Sequence, residues 1–368
     1  MKNTFTAWWY AVWSASMLTA MSLAPIDAAD RATALEITRV RLDRKTFNPS
    51  EQTVSVSFEI NQRADVKVLF YDRAGQRVRV LSRSEAGPGR TSVSWDGRRA
   101  DGRLAPGNVF LYVIEATSPA AERATYNPAR DTGGLAVDPL SYTLDRRTGT
   151  IEYVLPKTCM IRLRVGLEDG MLAGTLHDWE PRTAGRHVEK WDGADPSGLM
   201  NLLNRPDLNL NLTCYTLPSN TVITTGKVTP LDPNAPPPAN DEAADPWARK
   251  GKYLHYQHPP AACHEPRFRV SFPAGAAADA NEPPTLGGVT PVRVDLDERD
   301  ARDLIRKRFE IILYVDGVFL FEMEEGSSPF TFSWDTTNVP RGPHVLTVNV
   351  MSYDDHVGVV SRRLIIGG

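Results

Sequence analysis

Three segments of this chain combine a strand pattern with a Trp-Asp turn, and this repetition limits the folds open to it. The segment Gly89 to Gly97 reads GRTSVSWDG, Gly185 to Gly193 reads GRHVEKWDG, and Ser328 to Thr336 reads SPFTFSWDT. In the first segment Val93 and Trp95 alternate with polar residues, which is the period-2 pattern of a strand with one face in a core. Three such units predict three related β modules.

Short strands separated by turns continue between these units. Val54 to Ile60 alternates strictly and Ala64 to Tyr71 is largely apolar, so both are typical of strands. The pattern predicts an all-β chain built from tandem β-sandwiches. A WD-repeat propeller is excluded, because Trp95, Trp191 and Trp334 lie 96 and 143 residues apart, whereas propeller blades repeat every ~40–45 residues.

The N-terminus predicts export. Lys2 precedes the mostly apolar stretch Phe5 to Leu23, and small or aliphatic residues follow, as in a Sec-type signal peptide. We place the cleavage site after Ala28, which makes residues 1–28 the signal peptide and leaves no membrane span in the mature chain. The alternative is an uncleaved membrane anchor, although the apolar stretch is near the lower length limit for a span. The expected location is the periplasm, the outer surface or the medium.

The first module, residues 34–118, contains an ordered series of short motifs. They are Phe47-Asn-Pro-Ser50, Tyr71-Asp72 with Gly75, Val78-Arg-Val-Leu81, Trp95-Asp-Gly97, Asp101-Gly102, Ala105-Pro-Gly107 and Phe110-Leu-Tyr112. These residues resemble the FlgD-type immunoglobulin-like domain over residues 40–117. The resemblance implies an Ig-like sandwich of a kind that recurs in exported bacterial proteins. It does not extend to the flagellar hook-capping protein itself, whose family implies export through the flagellar channel.

Residues 126–225 are interpreted as a degenerate second copy. Tyr153 and Trp191 are 38 residues apart, close to the 37 that separate Phe58 from Trp95, and Tyr126-Asn-Pro128 echoes the Phe-Asn-Pro turn. The residues from Leu199 onwards replace the short Ala-Pro-Gly connection, which predicts a longer loop or a helical turn. Residues 267–368 form the third module, which resembles bacterial Ig-like domains over 288–366. Its charged segment 297–308 is expected to be a solvated turn or a short helix.

The segment 226–266 is rich in proline and is interpreted as an extended linker. It contains the cluster His255, His258, Cys263 and His264, whose residue types bind copper or zinc. The run that ends in Cys263-His264 also resembles a c-type haem attachment site without its first cysteine. A surface stretch with no cofactor is the competing interpretation, and it is the one that we prefer.

The chain has three cysteines, so at most one intramolecular disulfide forms. Cys159 and Cys214 both belong to the second module, while Cys263 lies in the linker. We therefore predict a Cys159–Cys214 bridge in the oxidising environment of an exported protein, with Cys263 left free. On the chain-entropy model such a loop stabilises the fold by roughly 3–4 kcal/mol.

Trp95, Trp191 and Trp334 are predicted to pack inside their sandwiches, with each following Asp bonded to the turn backbone. The alternative is that they form an exposed ligand platform. Motifs of common enzyme classes do not occur in the sequence, which contains no GxSxG, HExxH, Walker or GxGxxG pattern. The carboxylates Glu168, Asp169, Asp178 and Glu180 could form an acid/base pair only through the geometry of the fold, and most of the four are expected to be solvated.

These observations predict a non-catalytic exported scaffold that binds a protein partner in the cell envelope. The net charge of −3 provides no basic footprint for nucleic acid. Two other classes stay open: a metal or redox accessory protein that uses the His255–His264 cluster, and an unrecognised carbohydrate-active protein. The oligomeric state does not follow from the sequence.

Overall fold

A computed structural model describes residues 34–73, 75–168, 170–226, 265–273, 282–353 and 356–367. The predicted signal peptide, nearly all of the linker and the His255–His264 cluster lie outside these ranges. The described chain is almost entirely strands and turns, in three sandwiches with a separate core each. The prediction of an all-β chain of tandem sandwiches is confirmed. No helix in the described ranges is long and apolar enough to cross a membrane.

The first module contains eight strands. They are β1 (Ile37–Leu42), β2 (Thr46–Phe47), β3 (Val54–Ile60), β4 (Ala64–Tyr71), β5 (Arg77–Ala86), β6 (Gly89–Trp95), β7 (Asn108–Thr117) and β8 (Arg123–Tyr126). One sheet has the order β1-β3-β6, and the other contains β7, β4 and β5 with β8 paired to β7. The alternation in β3 places Val54, Val56, Phe58 and Ile60 in the core between the two sheets.

The second module follows a single 3₁₀ turn, Pro128–Arg130. Its strands are β9 (Ser141–Asp145), β10 (Thr150–Leu155), β11 (Cys159–Leu167), β12 (Leu172–Arg182), β13 (Gly185–Lys190) and β14 (Leu208–Thr216). They form the sheets β13-β10-β9 and β12-β11-β14. The residues from Leu199 to the start of β14 form a loop with turns rather than a helix, and this loop delivers Leu202 to the core.

The next strand, β15 (Thr221–Thr224), returns to the first module. It pairs antiparallel with β7, where Thr221 lies opposite Leu111, and parallel with β2, where Ile223 lies opposite Thr46. Val222 is buried in the first core. The second module is therefore an insertion in the sequence between β8 and β15, two strands of the first module's sheet.

This insertion corrects both predicted boundaries of the second module. The boundary at 225 is wrong, because the buried run 221–224 completes the sheet of the first module. The start at 126 is wrong as well, because Tyr126 lies in β8, where it stacks on Tyr112 with ring centroids 6.2 Å apart. The Tyr-Asn-Pro echo therefore belongs to the end of the first module.

The first and second modules each place a segment from elsewhere in the chain beside one of their strands. For β7 the partner is β15, and for β14 it is the segment that precedes the second module. There Gly134 N donates to Thr216 O (2.6 Å) and Val137 N donates to Cys214 O (3.1 Å). In the second module, residues 134–137 lie beside β14. In the first module, the corresponding place beside β7 is taken by β15.

The third module contains β16 (Phe268–Ser271), β17 (Thr285–Leu286), β18 (Val289–Leu296), α1 (Glu298–Lys307), β19 (Phe309–Val315), β20 (Val318–Met323), β21 (Phe330–Asp335), β22 (Gly342–Ser352) and β23 (Val357–Ile366). Its sheets are β16-β18-β21 and β17-β23-β22-β19-β20. The charged segment after β18 is a helix of three turns, and its Leu304 reaches the core. Of the two alternatives predicted there, the helix is correct.

Candidate functional sites

The three Trp-Asp turns are stabilised by their own side chains. Trp95 Nε1 donates to Arg98 O (2.9 Å), and Asp96 Oδ1 accepts the backbone N–H of the same Arg98 (3.0 Å). The second turn has the same two bonds, from Trp191 Nε1 to Ala194 O (2.8 Å) and from Ala194 N to Asp192 Oδ1 (2.9 Å). Satisfied donors and acceptors of this kind fix a turn.

The third turn is a variant of the other two. Asp335 Oδ1 accepts the N–H of Thr337 (3.0 Å), and Trp334 is buried in its core as Trp95 and Trp191 are in theirs. The tryptophan rings therefore face the three cores, and the aspartates are used in the turn backbone. Neither side chain type forms an exposed ligand platform here.

The glycine of the turn is required in the first two copies. Gly97 and Gly193 both have a positive φ, of 72° and 86°, which favours glycine. A Cβ on Gly97 would also lie 2.5 Å from Pro49 Cβ, and one on Gly193 would lie 2.6 Å from Leu203 Cγ. The Phe-Asn-Pro and Trp-Asp-Gly motifs of the first module therefore occur together because they pack against each other.

The second module contains an ionic cluster that the sequence analysis missed. We define the ionic cluster as Tyr153, His177, Glu180, Arg182 and Glu189. It joins β12, an edge of one sheet, to β10 and β13 of the other. Glu189 is its centre, since its carboxylate accepts from Tyr153 Oη (2.9 Å) and lies 3.2 Å from Arg182 and 3.5 Å from His177.

The second carboxylate completes this cluster. Glu180 lies 3.2 Å from His177 Nδ1 and 3.0 Å from Arg182, so each cationic group contacts both carboxylates. The Glu180 side chain is partly exposed. Glu168 is exposed as expected, and Asp169 lies outside the described residues. Asp178 has exposed surface, but burial of its carboxyl group raises its pKa, so it is not a freely solvated group.

The ionic cluster shifts the pKa values of its members in opposite directions. Burial alone would lower the pKa of His177, but hydrogen bonds to Glu180 and Glu189 outweigh it and raise that pKa to about 9. The hydrogen bond from His177 is the largest cause that holds the pKa of Glu189 down to about 2. Both residues are thus charged at neutral pH. Fixed opposite charges of this kind tie the two sheets together.

The second and third modules are joined by direct hydrogen bonds. Asn349 of β22 is 2% exposed, and its Oδ1 accepts from Leu172 N (2.9 Å) while its Nδ2 donates to Leu172 O (2.9 Å). Arg205 also donates to Asp316 O (3.2 Å). Ile312 and Tyr314, on the face of β19 that points away from the third core, pack into the second core. We call this set of contacts the module junction.

A cleft of about 270 Å³ remains open at the module junction. Arg162 and Arg164 of β11 line one side, and Asn349 and Met351 of β22 line the other. Both arginines are largely buried, and the guanidinium carbon of Arg162 lies 4.7 Å from the ring centroid of Trp179. Both guanidinium groups interact electrostatically with the carboxyl groups of Asp178 and Glu265.

The two cysteines of the second module are near neighbours and unbonded. Cys159 lies opposite Thr216 and Cys214 opposite Ile161 on the paired strands β11 and β14, so the cysteines are two residues out of register. Such diagonal positions are usually ~7–8 Å apart between Cα atoms, beyond the ~4.4–6.8 Å that a disulfide usually spans between Cα atoms. In the structure both are free buried thiols, and burial raises their pKa values to about 12 and 11. The bridge stays a prediction, which mass spectrometry of unreduced, alkylated protein tests.

The predicted metal ligands His255, His258, Cys263 and His264 lie outside the described residues, so the structure neither joins nor separates them. Within the described ranges, no group of three or more His, Cys, Asp or Glu side chains is arranged to hold a metal ion. The possible metal at the His255–His264 cluster therefore stays a prediction.

Comparison with known proteins identifies the first module. Residues 45–120 match the family model of the FlgD Ig-like domain, which confirms the resemblance drawn from the motifs. No curated protein matches the chain.

Solved structures give weaker similarities. FlgD from P. aeruginosa is 17% identical, with 41% of this chain and 95% of that chain covered and a TM-score of 0.22. A bacterial ice-binding adhesin of 1.5 MDa is 12% identical, with 91% and 98% covered and a TM-score of 0.19. The central fibronectin-III array of RIM-binding protein is 11% identical, with 90% and 97% covered and a TM-score of 0.18. At these values none of the three supports a functional argument.

Proposed function

We propose that this protein is a non-catalytic exported scaffold that presents its linked sandwiches to a protein partner in the cell envelope. The observation that carries the proposal is the way the modules are interlocked. Strand β15 completes the first sheet after the second module has been built, and Asn349 bonds the third module to the second. These contacts hold the three modules together, so surfaces on all three can face one partner.

Further support comes from the structural roles of the Trp-Asp motifs and of the ionic cluster. The Trp-Asp motifs serve the turns and the ionic cluster joins two sheets, so these groups have roles in the fold. The FlgD Ig-like domain and the apolar N-terminal stretch support a bacterial, exported location. The exported location belongs to the proposal.

Photo-cross-linking in the native host tests this function. A photoreactive amino acid is introduced at Leu140 of the second module or at Val289 of the third, both highly exposed, and the same residue at buried Val56 is the control. We expect one envelope protein to be captured from both exposed positions. The yield should fall in an Asn349→Ala background, because the module junction is weakened there. Capture of no protein from any exposed position would contradict the proposal.

Elemental analysis and a haem stain of the purified protein separate this function from the metal or redox alternative. Copper, zinc or haem at one equivalent, lost when His255 and His258 are replaced by Ala, would favour the accessory protein instead. Cleavage of a polysaccharide panel would favour the carbohydrate-active alternative.

A further inference from the structure

Charge is distributed unevenly between the outer modules. Residues 34–117 contain 14 Lys and Arg against 10 Asp and Glu, whereas residues 282–367 contain 9 against 14. The near-balanced total of the chain therefore conceals a basic first module and an acidic third module. Opposite charge on two parts of one molecule favours association between copies when the charges are exposed on surfaces that can meet.

Part of the basic charge of the first module lies on the solvent-exposed face of its smaller sheet, β1-β3-β6. The outward residues of β3 and β6 are mostly serines, and Ser55 and Ser94 share a hydrogen bond (2.8 Å). Because serine side chains are short, the arginine side chains around them project beyond the serine surface. We define the arginine face as Arg39, Arg41 and Arg90 together with these outward serines.

The arginine face contains a groove of about 250 Å³. Arg41 lies opposite Ser57, and Arg90 lies opposite Glu59. Glu59 is paired with Arg39 at 2.9 Å, so one acidic group neutralises one of the three arginines. Arg41 and Arg90 are exposed and give the groove a positive excess.

Part of the acidic charge of the third module lies along one edge of its larger sheet. Strand β20 is the last strand in the order β17-β23-β22-β19-β20, and Val318 and Phe319 on it are 68% and 54% exposed. Glu322 on the strand and Glu324 and Glu325 just beyond it are exposed as well. We define the acidic edge as these five residues.

The acidic edge has the properties of a surface that another molecule covers. An open edge strand presents unpaired main-chain groups, and natural proteins usually protect such edges with Lys, Pro or a bulge. β20 has one bulge, at Leu320 between Phe319 and Phe321, and no Lys, Arg or Pro. Its exposed valine and phenylalanine add apolar area that gains stability when removed from water.

We infer that the arginine face of one molecule docks the acidic edge of a second copy, so that copies associate head to tail. This inference rests on the proposed scaffold function and names one partner of it. Exposed ion pairs contribute little each, so the charges orient the two surfaces while burial of Val318 and Phe319 stabilises the contact. Two different surfaces meet, and such heterologous contacts extend into open chains or rings.

Charge reversal in the full-length protein tests the inference. One variant carries Arg41→Glu and Arg90→Glu, and the other carries Glu324→Arg and Glu325→Arg. Sedimentation velocity of the wild type should show association that weakens as salt rises. Each variant alone should associate about tenfold or more weakly, because its two surfaces now carry the same sign. Circular dichroism checks that both variants are folded.

Mixing the two variants supplies the decisive measurement. The reversed edge of one is then complementary to the reversed face of the other, and the unchanged edge and face of the two variants are complementary as well, so an equimolar mixture should regain association similar to that of the wild type. Arg83→Glu, a reversal at an exposed position on β5, is the matched control and should associate like the wild type. A monomeric wild type, association unaffected by either reversal, or a mixture that stays monomeric would overturn the inference. Each of these results leaves the cross-linking test with another envelope protein unaffected, so the two proposals fail separately.

Discussion

The first and second modules use the same turn but stabilise their cores differently. In the first, Trp95 is fully buried, and its ring centroid lies 5.7 Å from Phe47, 4.3 Å from Phe70 and 5.3 Å from Phe110. In the second, Trp191 retains 9% exposure, and the ionic cluster joins the two sheets near it. The Trp-Asp unit therefore specifies a local turn, and what packs around the tryptophan is free to vary.

This difference has an energetic consequence. Aromatic packing depends little on pH, whereas a partly buried ionic cluster depends on the protonation of each member. The first module should respond chiefly to changes of volume and the second chiefly to changes of charge. The following experiments, which all use the full chain, separate the two responses.

The largest effect is expected from Trp95→Ala. It removes the centre of the aromatic cluster and should destabilise the first module by about 3–5 kcal/mol. Trp191→Ala is the matched variant and should cost less, because the side chain is less buried and its surroundings are more polar. Hydrogen exchange read separately from peptides of each module measures both. Equal losses in the two modules would show that the cores are more alike than their contacts indicate.

Glu189→Gln should have the next largest effect. It removes the charge that Arg182 and His177 share and leaves both cations partly buried, which we expect to cost about 1–3 kcal/mol. Glu152→Gln is the control in the same module, since Glu152 pairs with Arg186 at 2.6 Å on the surface. Surface pairs of this kind contribute little to stability, so this variant should unfold almost as the wild type does. Denaturant unfolding of both variants, followed by hydrogen exchange of amides in the second module, measures the two losses of stability. Equal losses would show that the ionic cluster is no more stabilising than a solvated ion pair.

Asn349→Ala should have a smaller and more local effect. It removes two hydrogen bonds to Leu172, which corresponds to about 1–2 kcal/mol, and it acts at the module junction rather than in either core. The exchange rate of the Leu172 amide should rise while that of amides in β3 stays unchanged. Protection of Leu172 as in the wild type would mean that apolar contacts at the junction suffice.

The pH dependence is expected to be the smallest effect near neutrality, and it is measured in the second module relative to the first. The raised pKa of His177 gives stability that is complete below about pH 6.5 and lost as the pH rises through about 9. The lowered pKa of Glu189 gives stability that is complete above about pH 4.5 and lost as the pH falls towards 2. Exchange in the second module should therefore be slowest, relative to the first module, between these limits. Glu189→Gln should flatten both limbs, and a pH profile unchanged by it would contradict the assignment.

The sequence predicts well those structural features that depend on residues close together in the chain. The Trp-Asp turns are closed by bonds that span two or three residues, as from Arg98 N to Asp96, so their motif identifies them. The ionic cluster depends on three strands, and only part of it has a local signal. His187, Glu189 and Trp191 alternate, so they share the inward face of β13, and two polar residues on a core face indicate a buried polar contact.

The return of β15 had no such signal. Thr221 pairs with Leu111, which lies far upstream, and the four-residue run 221–224 fits a strand of either module. Asn349 likewise contacts Leu172 only because two sandwiches meet. Pairings between distant segments depend on how the modules are arranged, which periodicity does not encode.

The position of β15 sets an order for the growth of the chain. A ribosome or a secretion channel delivers residues from the N-terminus onwards, so β7 emerges long before the strand that flanks it. Until residue 224 has arrived, the first sheet has an open side, and closing it requires a loop of more than a hundred residues to come together. The N-terminal sandwich therefore gains its last strand only after all the residues of the second module have been delivered.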